Sequence, residues 1–101
     1  MPKLVRDLIP ARLARKGIPF ESRAMAPSEF RVALRDKMRE EVDEFLRADD
    51  PASHLEEAAD VLELMLADLG LEGFSLADLL AAAETKKLKR GAFAGRVLLS
   101  I

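Results

Sequence analysis

Nine carboxylates fall between Arg39 and Asp60, in the stretch REEVDEFLRADDPASHLEEAAD, and four of them form two pairs spaced three apart, Glu41 with Glu44 and Glu57 with Asp60. On a helix, side chains at that spacing sit roughly 5 to 6 Å from one another at Cβ. Two ionised carboxylates so close repel by roughly 3 kcal/mol at an effective dielectric near 20, and burial adds a desolvation cost. A positive charge among them removes the conflict. Two arrangements supply one: a divalent cation held by oxygen ligands, for which Mg2+ or Mn2+ is the best match, or an interhelical network of ion pairs with Arg and Lys. Mg2+ shares its shell among carboxylates, water and substrate phosphates, so the first arrangement leads toward phosphate chemistry. The second leads toward a structural role.

The elements that must position these acids are helices. Pro10 suits the first turn of a short helix stopped by Gly17, and IPFESRAM after it reads as an extended connection. Pro27 and Ser28 open a long helix over about 28–48, with Ser28 as candidate N-cap, and ADDPAS ends it. Ser53 to Glu56 has the S-x-x-E pattern of a capping box and starts a second helix, closed by Gly70. Ser75 to Asp78 starts a third in the same way, and it runs to Gly91. The apolar tail FAGRVLLSI suits either a short strand or an arm that docks on a partner.

At about 100° per residue, Phe30, Leu34, Met38, Val42 and Phe45 form one apolar stripe of the first long helix. Glu41 projects inside that stripe and Glu44 lies at its edge, whereas Glu40 and Asp43 point away. A solvated acidic face therefore accounts for Glu40 and Asp43 and fails for Glu41. In the second helix, Leu55, Ala58, Ala59, Val61, Leu62, Met65, Leu66 and Leu69 make a wide stripe, with Leu64 on the opposite side. Glu57 and Asp60 lie between the two, bordering apolar surface on a helix expected to be covered on two sides. Glu56 is explained by the capping box, while Asp60, two turns in, is beyond the reach of the helix dipole. The two acid pairs meet if these helices pack antiparallel.

Composition narrows the classes further. With 101 residues, half of them hydrophobic and 34% charged, and with no Trp or Tyr, the chain reads as one all-α domain over 1–101, a bundle of antiparallel amphipathic helices with short extended segments near the termini. No cysteine is present, which excludes disulfides and thiolate metal sites, and the lone His54 leaves little scope for zinc or a histidine-based triad. A net charge of -2 argues against a nucleic-acid partner. No apolar run is long enough to span a bilayer and the N-terminus lacks the core of a signal peptide, so the expected location is cytoplasmic, away from membranes. Two long helices of this size bury little alone, so a homodimer or a dimer of dimers is expected to complete the bundle.

E-E-x-x-E, then twelve residues between Glu44 and Glu57, then E-x-x-D resembles the motif of the all-α nucleoside triphosphate pyrophosphohydrolases, the MazG-like group that includes dimeric dUTPases and phosphoribosyl-ATP pyrophosphohydrolase. The start KLVRDLIP and the late KKLKRGAF resemble a MazG-like subgroup of predicted house-cleaning pyrophosphatases that open with KLVRDKIP and carry K-x-x-x-R-G-x-F near the end. Leu8 departs from that pattern, which often has Lys there. The resemblance covers nearly the whole chain.

It implies that Glu41, Glu44, Glu57 and Asp60 bind Mg2+, with Mn2+ as a substitute, the same four acids that helical phase singles out. It implies that Glu40 and Glu41 serve catalysis, Glu40 by approaching the attacking water or a second ion. It also implies that Lys86 and Arg90 contact substrate phosphates, although cations in the last turn of a helix are favoured by the dipole in any case. The implied reaction is Mg-dependent hydrolysis of a noncanonical or deoxynucleoside triphosphate between its α and β phosphates, giving the monophosphate and pyrophosphate. Two alternatives stand beside it: a biosynthetic phosphoribosyl-ATP pyrophosphohydrolase, and a non-catalytic helical module whose acids only pair with Arg and Lys.

Overall fold

The computed structural model describes residues 2–101 and contains, among them, four helices and no strand: α1 (Ile9–Arg15), α2 (Pro27–Arg47), α3 (Pro51–Gly70) and α4 (Leu76–Arg90). The all-α expectation holds. The tail after α4 forms neither strand nor packed arm within the chain, and Phe93, Leu98 and Ile101 are almost fully exposed.

Local chemistry sets the helix ends. Gly17 (φ 70°) reverses the chain after α1: its N–H donates to Ala14 O at 3.1 Å and the Ile18 N–H to Leu13 O at 3.0 Å, the paired bonds of a Schellman turn. The same pair recurs after α3, where Gly73 (φ 84°) donates to Gly70 O and Phe74 to Leu69 O, both at 3.1 Å. The helix ends at Gly70 as expected, but the reversal is made three residues later. The capping box expected at Ser75 is present, with Asp78 N–H donating to Ser75 Oγ at 3.3 Å and Ser75 N–H to Asp78 Oδ2 at 2.8 Å.

Two caps differ from expectation. Ser28 caps nothing: Pro27 takes the first helical position and Ala26, with no side-chain acceptor, is the N-cap of α2. In α3, Asp50 rather than Ser53 is the N-cap, accepting from Ser53 N–H at 2.9 Å and Ser53 Oγ at 2.8 Å. The reason is Pro51, whose fixed φ and missing N–H suit the first turn, so the residue before it caps. Glu56 therefore belongs to no box and is exposed.

Helices α2 and α3 form an antiparallel hairpin joined by Ala48, Asp49 and Asp50. Pairings run in opposite directions along the two: Phe45 stacks on His54 with ring centroids 4.5 Å apart, Arg35 Nη2 lies 3.7 Å from Asp68 Oδ2, and Arg31 Nη1 lies 3.4 Å from Glu72 Oε1 just past the helix. Leu34, 1% exposed, is the one fully buried side chain among the described residues. Phe30, Met38 and Phe45 are half-buried beside it, as the α2 stripe anticipates, while Val42 lies nearer the surface.

In α3 most of the anticipated stripe is covered, Ala58, Val61, Met65, Leu66 and Leu69 being half-buried, but its N-terminal part is not. Val61, Leu64 and Asp68, in phase with Glu57, are half-buried toward α2, whereas Leu55 is 73% exposed and Leu62 and Ala59 are also open. The stripe is thus open at Leu55, Ala59 and Leu62 and half-buried along the rest. Among the described residues, α4 shares no packed face with α2 or α3. The accessible surface is 8894 Å2, against roughly 5,700 Å2 for a compact monomer of the chain's 11.2 kDa. The radius of gyration is 17.4 Å, where a compact domain of this length has about 13 Å. No helix is long and apolar enough to cross a membrane.

Candidate active site

The hairpin brings the acids together around Glu41. One oxygen from each of Glu41, Glu57 and Asp60 lies within 4.8 Å of the others, and the same holds for Glu40, Glu41 and Glu44. Glu41 is common to both groups. It is 8% exposed and faces α3 from inside the apolar stripe, the placement that its phase demands.

Two cations reach this cluster from the same chain. Lys37, one turn before Glu41, lies 3.2 Å from Glu41 Oε1 and 3.8 Å from Glu40 Oε1. Arg6, from the segment ahead of α1, donates to Asp60 Oδ1 at 2.6 Å. They do not satisfy every acceptor. Glu41 Oε2 and Glu57 Oε2 are both buried with no donor when the carboxylates are ionised, an arrangement that is unfavourable for an acceptor and more so for a charged one.

The titration of the neighbouring groups reflects that crowding. Burial, then the charges of Glu44, Glu41 and Asp60, and a hydrogen bond shared with Glu41 push the Glu57 carboxyl above the ordinary carboxylate range. Burial is the largest single influence on Lys37 and works against its charge, yet the hydrogen bond to Glu41 and the fields of Glu40, Glu41 and Glu44 outweigh it, and its pKa is raised. One side of the cluster thus favours an added proton and the other holds a cation firmly. This is a site short of positive charge. Its donor set is oxygen only, and the orphaned oxygens on facing helices suit a hard divalent cation.

Lys86 and Arg90 lie one turn apart on α4, where they line an open cleft with Ala82, Thr85 and Lys89. Within one chain they are brought to each other and not to the carboxylates. His54 is exposed and does no more than stack on Phe45. The two counterions escape the motif search for different reasons. Lys37 stands four residues before Glu41, a spacing that could have found it. Arg6 is 54 residues from Asp60, and no local pattern connects them.

Neither a curated protein nor a solved structure matches the chain significantly. The family model for phosphoribosyl-ATP pyrophosphohydrolase matches residues 7–87, a span that runs from Asp7 through both acid pairs to Lys87. The chain accordingly belongs to the phosphoribosyl-ATP pyrophosphohydrolase family, whose chemistry is the hydrolysis of acid anhydrides.

Proposed function

We propose that the chain hydrolyses the anhydride between the α and β phosphates of a noncanonical or deoxynucleoside triphosphate, releasing the monophosphate and pyrophosphate, in a house-cleaning role. Glu41, Glu44, Glu57 and Asp60 would hold Mg2+ or Mn2+. The observation that carries this reading is the pair of buried oxygens without donors, Glu41 Oε2 and Glu57 Oε2, on facing helices. Asp68 Oδ1, beside the structural ion pair with Arg35, is buried without a donor as well, but it belongs to neither acid group, whereas Glu41 and Glu57 converge with Asp60. When bound, the ion neutralises phosphate oxygens and lowers the pKa of a coordinated water.

The chain's own residues do the remainder. Glu40 is exposed beside the buried Glu41, open to a water, and accepts its proton as that water attacks. Lys86 and Arg90 hold the phosphates as charge builds on the leaving pyrophosphate. Because α4 stands apart from the hairpin, these two reach the carboxylates in an assembly. A homodimer, or a dimer of dimers, covers the open Leu55 and Leu62 of α3 and part of the surplus of roughly 3,200 Å2 per chain over a compact monomer.

The family match favours a second reading in which the triphosphate belongs to phosphoribosyl-ATP and the role is biosynthetic. A panel of nucleotides that includes phosphoribosyl-ATP, with Mg2+ present and pyrophosphate assayed separately from orthophosphate, tests both. Pyrophosphate from a noncanonical or deoxynucleotide supports the first reading. Pyrophosphate from phosphoribosyl-ATP alone supports the second, and silence throughout leaves a structural helical module.

A further inference from the structure

We propose that Arg6 serves the site in two positions: it neutralises Asp60 in the metal-free protein and, once the carboxylates hold a divalent cation, turns to the phosphates of the substrate. The inference rests on the metal reading above and goes beyond it, because it assigns a role to a residue outside the acid motif.

The starting point is a competition visible in the geometry. Arg6 Nη2 donates to Asp60 Oδ1 at 2.6 Å, and Asp60 is also one of the three acids that converge within 4.8 Å of one another. One carboxylate is thus offered to two cations. The side chains of Arg6 and Asp60 are 59% and 40% exposed, and ion pairs so open to water are weak and readily exchanged. Lys37 differs: it is more buried, pairs with both Glu40 and Glu41, and is fixed on the same helix as its partners. Of the two counterions, Arg6 is the one that can leave.

When it leaves it cannot go far. Leu4 before it and Ile9 and Pro10 after it are half-buried, so the segment is held at both sides of Arg6. Only one guanidinium nitrogen is engaged in the ion pair, and the other donors of the planar fork have no partner among the described residues. A guanidinium held beside a cluster that binds a metal-bridged triphosphate is well suited to bidentate contact with phosphate oxygens.

The test measures Mn2+ binding by calorimetry without nucleotide, then binding of a non-hydrolysable nucleoside triphosphate analogue with Mg2+ saturating. Removing the competitor in Arg6→Ala is expected to tighten Mn2+ by about 3- to 5-fold and to weaken the analogue by about 10-fold. Arg6→Lys, which keeps the charge but not the fork, is expected to bind Mn2+ as the wild type does and still lose analogue affinity. Circular dichroism of both variants checks that the fold is retained. Arg6→Ala with unchanged or weaker Mn2+ binding overturns the proposal, since Arg6 then orients Asp60 or does nothing. Unchanged analogue affinity overturns it as well. A wild-type protein that binds no Mn2+ removes the metal reading itself, and this proposal with it, whereas Mn2+ binding indifferent to Arg6 removes this proposal alone.

Discussion

Lys37 and Glu41 stand one turn apart on α2 with Nζ 3.2 Å from Oε1, and this contact supplies half of what the buried carboxylate needs. The second oxygen faces Glu57 across the hairpin, where another carboxylate is equally short of a donor. The site is therefore most strained when empty of added charge, and most of the following expectations come from that imbalance.

Glu57→Gln removes a repelled charge. Because the folded-state pKa of Glu57 lies above its unfolded value, its protonation contributes stability that is fully present below the unfolded pKa and is lost as pH rises through the folded one. Metal-free Glu57→Gln is therefore expected to melt at or above the wild-type temperature at pH 7, with the difference shrinking as pH falls toward about 4. Activity should vanish. Paired thermal melts across pH check this, and a variant much less stable at pH 7 would mark Glu57 as a structural ion-pair partner.

Divalent cations should raise the melting temperature of the wild type in proportion to the logarithm of their concentration. Mass action gives about 2.7 kcal/mol at one hundred times Kd. Glu41→Gln, which takes away the group common to both acid clusters, should abolish the response. A wild-type melt indifferent to millimolar Mg2+ and Mn2+ would remove the metal centre.

Lys86→Ala should lower kcat/KM by about 10- to 100-fold, equivalent to roughly 1.4 to 2.7 kcal/mol of transition-state binding, while its melting temperature hardly moves. Arg90→Ala should behave alike. Lys87→Ala, about 100° around the helix, is the control and should retain activity. Equal losses at Lys86 and Lys87 would mean that general positive charge on α4, and no particular pair, matters.

The open Leu55, Ala59 and Leu62 of α3 should be covered by another copy. Leu62→Glu places a charge in that face and is expected to convert the protein to a smaller, less stable species in sedimentation equilibrium, with a large drop in melting temperature. The wild type should melt at higher temperature as its concentration rises. A wild-type chain that sediments as a monomer at every concentration would leave the leucines unexplained.

The acid cluster was legible in the sequence because helical phase is a local property: Glu41 at the centre of an apolar stripe can face only another helix. The ends of α4 were legible for the same reason, since a capping box and a C-terminal glycine act within a few residues. At Asp50 and Ser53 two local signals competed, and the proline at position 51 decided for the aspartate by occupying the first helical turn. The face of α3 was legible only in part. A stripe shows that a helix face wants cover without naming what covers it, and at Leu55, Ala59 and Leu62 the rest of the chain supplies little. Arg6 was illegible because its contact depends on how the N-terminal segment returns across α3, which no periodicity encodes.

The link between Arg47 and Pro51 is only three residues long, so the hairpin that carries every proposed ion ligand closes at small entropic cost and early in folding. If Glu41, Glu57 and Asp60 meet in that early hairpin, their mutual repulsion falls on the rate-limiting barrier as well as on the finished protein. An ion that relieves it before the barrier is crossed acts on the speed of folding, not merely on the lifetime of the folded state. Stopped-flow refolding should accordingly run faster in Mg2+, and the substitution Glu57→Gln should accelerate it even in a chelator.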